Sequence, residues 1–595
     1  MVILSGIMLV LAFPPFPFAF LAYFAFVPLL LVIDHTPNKT FEDRFWGFFK
    51  ALLITPWRLL TRPFLLIGKK LFPASVPGEL PPILYQRKII SHNAQVFRYA
   101  YTAFIIWNFG CGYWLMLTAM GAQDFAETLT NLISGLLANV LNPFLMAIPI
   151  YFYTKVRWKV SPLIGGLSLI FFWITFEWLH FNWDLSWSWL TLGHCMSYYP
   201  IAIQYMEFTG IFGVSLHILL INVLIYTLLH ALNDGKKPLA GILGGSIVLI
   251  VALPFVLNVW ILNPHREVFQ SQDALRVRVI QPNIDPYEKF EQATQEQQVA
   301  RFDSLIRQPG IDTIDLVILP ETAIPKGIWN DQIRTDPLIE PLWQIVETED
   351  LSLLTGLTEY RFFDPLRQKV PASARPYRTG FADGYNASAM LIKGQDPETF
   401  QKGKLVPMVE RMPFLETFTF LKEYNIDLGG NFGNYGVPDS IRNLRTHQGV
   451  DVASLICYES EYGEYVTEFV RKGARMLIII TNDGWWQRSS GHIQHAYFTT
   501  FRAIETRRAV ARSANTGISL FSDNRGQISQ PTIFWTATYI DARMPLYDSL
   551  TFYVRHGDYI GWLCGLGSLM LTYVMALWAL WQKGQAGETA ASEES

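Results

Sequence analysis

Ser454-Leu455-Ile456-Cys457-Tyr458-Glu459 closes an apolar run, residues 452 to 456, with a thiol, an aromatic ring and a carboxylate. A short apolar run of this kind reads as a buried strand. A strand end holds a side chain rigidly, and the turn after it can aim backbone N–H groups at a developing oxyanion. The same six residues also fit a thiol that only packs, because free cysteine is among the most buried residue types. A lone cysteine becomes a nucleophile candidate only with partners elsewhere in the chain.

The sequence on either side repeats this form. Short apolar runs end in polar residues at 277–281, 316–321, 353–356, 387–392 and 476–483. Helical patterns at 291–307 and 492–510 lie between some of them. Strands alternating with helices predict an α/β domain over residues 263–550. The chain has four cysteines, and Cys111, Cys195 and Cys564 fall in or beside apolar segments. Cys457 therefore stands alone in the polar block, with no disulfide framework and no zinc-ligand spacing around it.

The rest of the chain is of another kind. Its 595 residues are 51% hydrophobic and 16% charged, against about a quarter charged in soluble proteins. The net charge of −3, with no strongly basic domain, argues against a nucleic-acid partner. Two apolar segments broken by Pro14, Pro15 and Pro17 open the chain. Apolar spans follow at 99–120, 130–153, 162–182, 208–232, 238–262 and 559–581. About eight membrane helices are expected, the first short for a span that needs about 20 residues.

Residues 35–98 are basic and aromatic, with Lys50, Arg58, Arg62 and Lys69 among Trp46, Phe48 and Trp57. They read as a segment lying at the cytoplasmic membrane surface. The short loops with Lys155, Arg157 and Lys159, and with Lys236 and Lys237, are basic too. Basic loops stay inside, so both termini are expected in the cytoplasm and residues 263–550 outside. Three parts result: a membrane domain 1–262, an outer domain 263–550, and a final helix with its tail, 551–595. The tryptophans of the loop 183–189 read as membrane-boundary residues, and Glu177 as an interface residue in preference to a functional one.

Several predicted strand ends carry further chemistry. Pro320-Glu321-Thr322-Ala323-Ile324-Pro325 places a carboxylate after a buried run, and Lys402 and Lys404 lie in a loop before Leu405-Val406-Pro407. Each alone fits a surface charge. In the order Glu, Lys, Cys they resemble the nitrilase superfamily. Ile456-Cys457-Tyr458-Glu459, Asn482-Asp483-Gly484-Trp485-Trp486, Gln494-His495 and the Arg502/Glu505/Arg508 helix resemble its membrane-embedded branch, the apolipoprotein N-acyltransferases.

That resemblance implies a four-layer α-β-β-α sandwich set between the last two of eight membrane helices. It selects Lys402, which lies three residues before Leu405 and eight before Glu410, over Lys404. It implies Glu321, Lys402 and Cys457 as the catalytic set, with Glu410 supporting Lys402. Tyr458 and Glu459 would shape the pocket, Phe290 would stand where tryptophan is common, and Trp485 and Trp486 would form a lid or an anchor. It also implies no metal or organic cofactor, a membrane phospholipid as acyl donor, and a diacylglyceryl-cysteine apolipoprotein as acceptor. Phe400, Met408 and Val409 depart from the family pattern. A membrane-tethered amidase would use the same three residues. A transporter with a binding domain would need paired charges within its spans, which are sparse here.

Overall fold

The computed structural model describes residues 1–35, 92–121, 124–268, 273–289, 295–417 and 434–593. Most of the basic 35–98 segment, and Phe290, lie outside these residues. Apolar helices come first: α1 (Val2–Ala12), α2 (Val27–Asp34), α3 (His92–Gly112), α4 (Phe125–Arg157), α5 (Pro162–Phe181), α6 (Met206–Asn233) and α7 (Lys237–Val268). Among the described residues, six helical segments are long and apolar enough to cross a membrane, and α1 and the stretch Ala19–Asp34 are shorter. The chain is a membrane protein of the predicted helix content.

Burial ranks these helices. The apolar window of α6 is 72% buried, whereas those of Lys237–Val259 and Tyr559–Trp581 are 17% and 11% buried. So α6 is the axis of the bundle and the helices flanking the globular domain are its rim. Glu177 sits within α5 at 3% exposure, inside the protein and not at its boundary. It accepts hydrogen bonds from Trp173 Nε1 (2.9 Å) and the Leu192 amide (2.7 Å). A buried carboxylate needs such donors, and here they anchor the loop that follows α5.

The globular domain has two facing sheets. The first contains β1 (Ala274–Gln281), β2 (Leu316–Ile318), β3 (Ile324–Trp329), β4 (Ser352–Phe363), β5 (Arg375–Tyr377), β6 (Gly380–Leu391) and β7 (Glu398–Gln401). The second contains β8 (Leu444–Arg445), β9 (Asp451–Ile456), β10 (Met476–Thr481), β11 (Val510–Ala514), β12 (Leu520–Ser522) and β13 (Ile528–Ser529). The last strand, β14 (Thr538–Pro545), returns to the first sheet beside β1. The orders are β14-β1-β2-β4-β6-β5, with β3 on β4 and β7 on β6, and β13-β12-β11-β10-β9-β8.

Side-chain alternation along each strand sorts the core into layers. Val277, Ile318, Leu354 and Met390 face inward from the first sheet toward the second. Ser454 Oγ donates to Ser388 Oγ (2.8 Å) across the gap. The alternate residues, Ile280, Val317, Leu353 and Leu391, pack outward on α8 (Gln295–Ile306) and α9 (Glu340–Glu349). The second sheet is covered by α10 (Gly463–Arg471) and α11 (Ser490–Thr506), giving the expected α-β-β-α sandwich. A short α12 (Phe552–His556) leads into the final apolar helix, α13 (Tyr559–Glu593).

Domain and bundle share one apolar core. Tyr458, Tyr462, Phe498 and Phe501 belong to the same buried cluster as Trp107, Trp173 and Phe212 of the membrane helices. Arg507 adds a buried tie, its Nε donating to Glu207 Oε2 (2.6 Å) and its Nη1 to Gln204 Oε1 (2.6 Å).

Candidate active site

The parallel strands of the two sheets bring their C-terminal ends together. β9, β10 and β11 run parallel in the second sheet, as do β1, β2 and β4 in the first. Strand ends of this kind are where α/β folds hold ligands. Cys457 therefore comes from β9, Asn482 from β10 and Glu321 from just beyond β2. Lys402 follows β7, and its amide donates to the Asn386 carbonyl (2.8 Å).

Cys457 has φ 53°, in the left-handed region, and opens a 3-10 helix over Cys457–Glu461. A non-glycine residue there costs on the order of 1–3 kcal/mol, and the surroundings must hold it. Glu459 does so. It is wholly buried and accepts from the Ile456 amide (2.7 Å), the Gly403 amide (2.6 Å) and the Tyr465 hydroxyl (2.8 Å). One carboxylate thus ties the cysteine turn to the lysine loop. Burial pushes Glu459 up to about 7, against those donors. Thr322, next to Glu321, is also left-handed at φ 47°.

Lys402 Nζ lies 2.9 Å from Glu410 Oε1 and 3.3 Å from Glu321 Oε1. Asn386 Nδ2 bridges the same two carboxylates, at 2.8 Å from Glu321 and 3.0 Å from Glu410. The Asn482 amide donates to Glu321 Oε2 (3.0 Å) and the Val406 amide to Glu410 Oε2 (2.8 Å). Burial alone would push the Lys402 amine down, but Glu321 and Glu410 outweigh it and raise it well above the usual lysine range. Lys402 is an ammonium at every working pH. Burial, then Glu321, push the Cys457 thiol up while Lys402 pulls it down, so the resting group is the thiol.

Lys404 is not at this centre. Its Nζ stands over the rings of Tyr462 (5.0 Å) and Tyr465 (5.8 Å). Of the two loop lysines, Lys402 is the one that the fold sets between the carboxylates.

Glu321, Lys402, Glu410, Cys457, Tyr458, Trp485 and Trp486 line one cavity of about 150 Å³. Trp114, Leu115, Trp187 and Trp189 of the membrane domain close its other side. Trp114 packs on Trp486 and Trp189, with ring centroids 4.6 and 4.8 Å apart. The tryptophans expected at the bilayer boundary thus turn inward at positions 187 and 189. Trp486 is part of this inter-domain cluster, while Trp485 packs edge-on to Tyr287 at 5.0 Å. The Tyr458 hydroxyl donates to the Ser186 carbonyl (3.0 Å).

Beneath the cysteine turn, Asp483 Oδ1 meets His495 Nδ1 at 2.9 Å and Asp483 Oδ2 accepts from Arg512 Nη2 at 2.7 Å. Burial raises this aspartate, but Arg512 and His495 outweigh it and hold the carboxyl below its ordinary range. Asn386, Tyr435 and Arg512 carried no sequence signal, being polar residues inside or between strands. Among the described residues, no group of three or more His, Cys, Asp and Glu side chains is placed to hold a metal ion.

A half-buried cysteine beside a buried ammonium and carboxylate, at the ends of two facing sheets, defines a carbon-nitrogen hydrolase type of domain, and residues 276–549 match that family. Residues 69–224 match the apolipoprotein N-acyltransferase N-terminal domain. The chain is 30% identical to an apolipoprotein N-acyltransferase of Chlorobaculum tepidum, over 94% of this chain and 93% of the relative. One from Geobacter metallireducens is 26% identical over 96% and 94%, and one from Rhizobium rhizogenes 28% over 74% and 79%. The chain belongs to the apolipoprotein N-acyltransferase family.

Proposed function

We propose that the protein moves an acyl chain from a membrane phospholipid to the α-amine of an N-terminal diacylglyceryl-cysteine, through a thioester on Cys457. The observation that carries this is the shared cavity: thiol, ammonium and carboxylate under a roof of membrane-domain tryptophans. The triad supports acyl chemistry, and the roof supports a donor arriving from the bilayer.

In the first half-reaction the Cys457 sulfur attacks the ester carbonyl as Glu321 takes the thiol proton, acting as general base. The proton leaves as the S–C bond forms, because the resting thiol is held above its ordinary range. Lys402 and the Tyr458 amide face the oxyanion. Collapse breaks the C–O bond, and Glu321 returns the proton to the departing alkoxide, giving a lysophospholipid. In the second half the acceptor amine attacks the thioester carbonyl and gives a proton to Glu321. The N–C bond forms, the C–S bond breaks, and Glu321 re-protonates the thiol. Ester and amine become alcohol and amide. Glu410 keeps Lys402 charged and aimed, and exclusion of water by the tryptophan roof protects the thioester.

The proposal includes the division into 1–262, 263–550 and 551–595, and a bacterial inner membrane with the catalytic domain in the periplasm and both termini in the cytoplasm. The test is mass spectrometry of the protein incubated with phospholipid. A single acyl adduct on Cys457 is expected, discharged by a diacylglyceryl-cysteine peptide and absent in Cys457→Ala. No adduct, with release of ammonia from amides instead, would replace this reading with a membrane-tethered amidase.

A further inference from the structure

Beyond Glu410 a second cavity lies beside the reaction cavity. Tyr435 lines it and also lines a neighbouring cavity of about 340 Å³, with Gly327, Asp383 and Gly384. Trp329, Tyr360 and Tyr377 are shared in turn between that cavity and a wider groove of about 910 Å³. Shared lining residues thus mark a route of adjacent spaces from the triad, with Tyr435 standing at its inner end, to the surface of the first sheet.

The strands give the path its direction and length. β3 leaves the Glu321 turn and runs outward to Trp329, with Ile324 beside Leu357 and Trp329 beside Tyr360. β6 covers the same distance in the opposite sense, from Ala382 back to Asn386, which touches Glu321. At about 3.3 Å per residue, the path from Asn386 to the Tyr377–Gly380 end is roughly 20 Å. An extended peptide of about six residues spans it.

The chemistry changes along the way. Trp114, Leu115, Trp187 and Trp189 give the triad an apolar wall on the membrane side. The outer groove is polar, with Asn330, Gln332 and charges of both signs in Arg361, Arg378, Asp331 and Glu398. On its floor Trp329 stands 5.6 Å from Tyr360 and 5.0 Å from Tyr377, and the Arg378 guanidinium lies over Tyr377 at 5.2 Å. Aromatic platforms among polar groups of mixed sign suit a hydrated main chain with little demand on sequence. They do not suit an acyl tail.

We propose that this groove holds the polypeptide of the acceptor, extended, as it leaves the pocket past Tyr435. The inference rests on the acyl-transfer reading above. The reacting amine belongs to the first residue of the acceptor, whose lipid chains stay on the membrane side, so the rest of its chain leaves by the other opening.

The test compares Trp329→Ala/Tyr377→Ala and the exposed-site variant Arg378→Glu with the unaltered protein. The probes are two synthetic diacylglyceryl-cysteine acceptors, one ending after a single further residue and one carrying about ten. Thioester formation on Cys457 from phospholipid, read in the same preparations, reports the fold and the first half-reaction. The expected result is a rise in KM of fivefold or more for the long acceptor, toward that of the short one, with kcat, the short acceptor and thioester formation unchanged. Equal shifts for both acceptors, a shift for neither, or loss of thioester in the variants alone would overturn the groove. Absence of any thioester in the unaltered protein would instead overturn the acyl-transfer reading.

Discussion

Cys457 works from a conformation that its own side chain disfavours, and two neighbours decide whether the site forms. Gly356 of β4 is one of them. A Cβ there would lie 2.5 Å from the Thr322 amide, 2.6 Å from the Pro320 carbonyl and 2.8 Å from the Glu321 Cα. All three are backbone atoms of the turn that carries Glu321, so the turn must move. Gly356→Ala is expected to lower the rate of thioester formation at least a hundredfold. The loss of stability should be only about 1–3 kcal/mol, as for other overpacked sites, and thermal unfolding of the same sample checks it. Lys402 is the other neighbour. Lys402→Met removes the proposed oxyanion partner, worth about 3–4 kcal/mol, and leaves Glu321 and Glu410 joined only through Asn386. The single-turnover rate of adduct formation should fall by about 10²–10³ or more. At this scale the sequence was most legible. Glu321 and Cys457 close apolar runs whose ends mark them, whereas Lys402 lay in a loop with Lys404 and only the family resemblance selected it. Asn386 was not legible, because a polar residue at the start of an apolar run gives no hint that it will bridge two carboxylates from other strands.

At the scale of elements, α11 is the hinge between chemistry and membrane. Gln494 on it is fully buried and serves three membrane segments. Its Oε1 accepts from Trp189 Nε1 (2.7 Å) and Trp114 Nε1 (3.3 Å), and its Nε2 donates to the carbonyls of Pro14 (2.8 Å) and Cys111 (3.3 Å). Gln494→Leu leaves these donors and acceptors buried without partners, at about 1–3 kcal/mol for each group stranded. The melting temperature in detergent should drop, and adduct formation with it, as the tryptophan roof loosens. The 3-10 helix after β9 carries a different signal. Glu461 on it accepts no hydrogen bond, and the His495 Nε2 lies 3.7 Å away. Burial pushes this carboxyl up to about 8, with Arg502 and Arg512 pulling the other way. The folded state therefore holds a proton that the unfolded chain releases near pH 4.5, so the stabilisation is complete below that pH and fades as pH rises through about 8. The melting temperature should fall between about pH 4.5 and about pH 8, and Glu461→Gln should reduce that fall by a few °C. The strands were read from their apolar runs, six of which became β1, β2, β4, β6, β9 and β10. Strands β3, β5, β7, β8 and β11 to β14 were missed, the shortest of them because two or three residues carry no period to read.

At the scale of the molecule, the continuous core joining domain and bundle makes orientation a single property of the chain. A reporter active only in the cytoplasm, fused after Ser595, should be active. The same reporter inserted in the exposed turn at Gly394 should be silent. That glycine has φ 69°, and a Cβ added there would meet nothing within 4 Å, so the turn has room for an insertion. The opposite pattern would invert the proposed topology.

Hydropathy, basic loops and the Glu–Lys–Cys order sufficed for the sequence alone to determine a membrane bundle, an inserted α/β domain and the family. These are local patterns: a span needs only its own apolar residues, and a strand end needs only the run before it. What the tertiary structure decided is everything that depends on two distant segments meeting. It put Trp187 and Trp189 into the wall of the pocket, made Glu177 an internal anchor, and placed Asn386 between Glu321 and Glu410. Burial and pairing of polar groups are properties of the packed chain, and no run of residues carries them by itself.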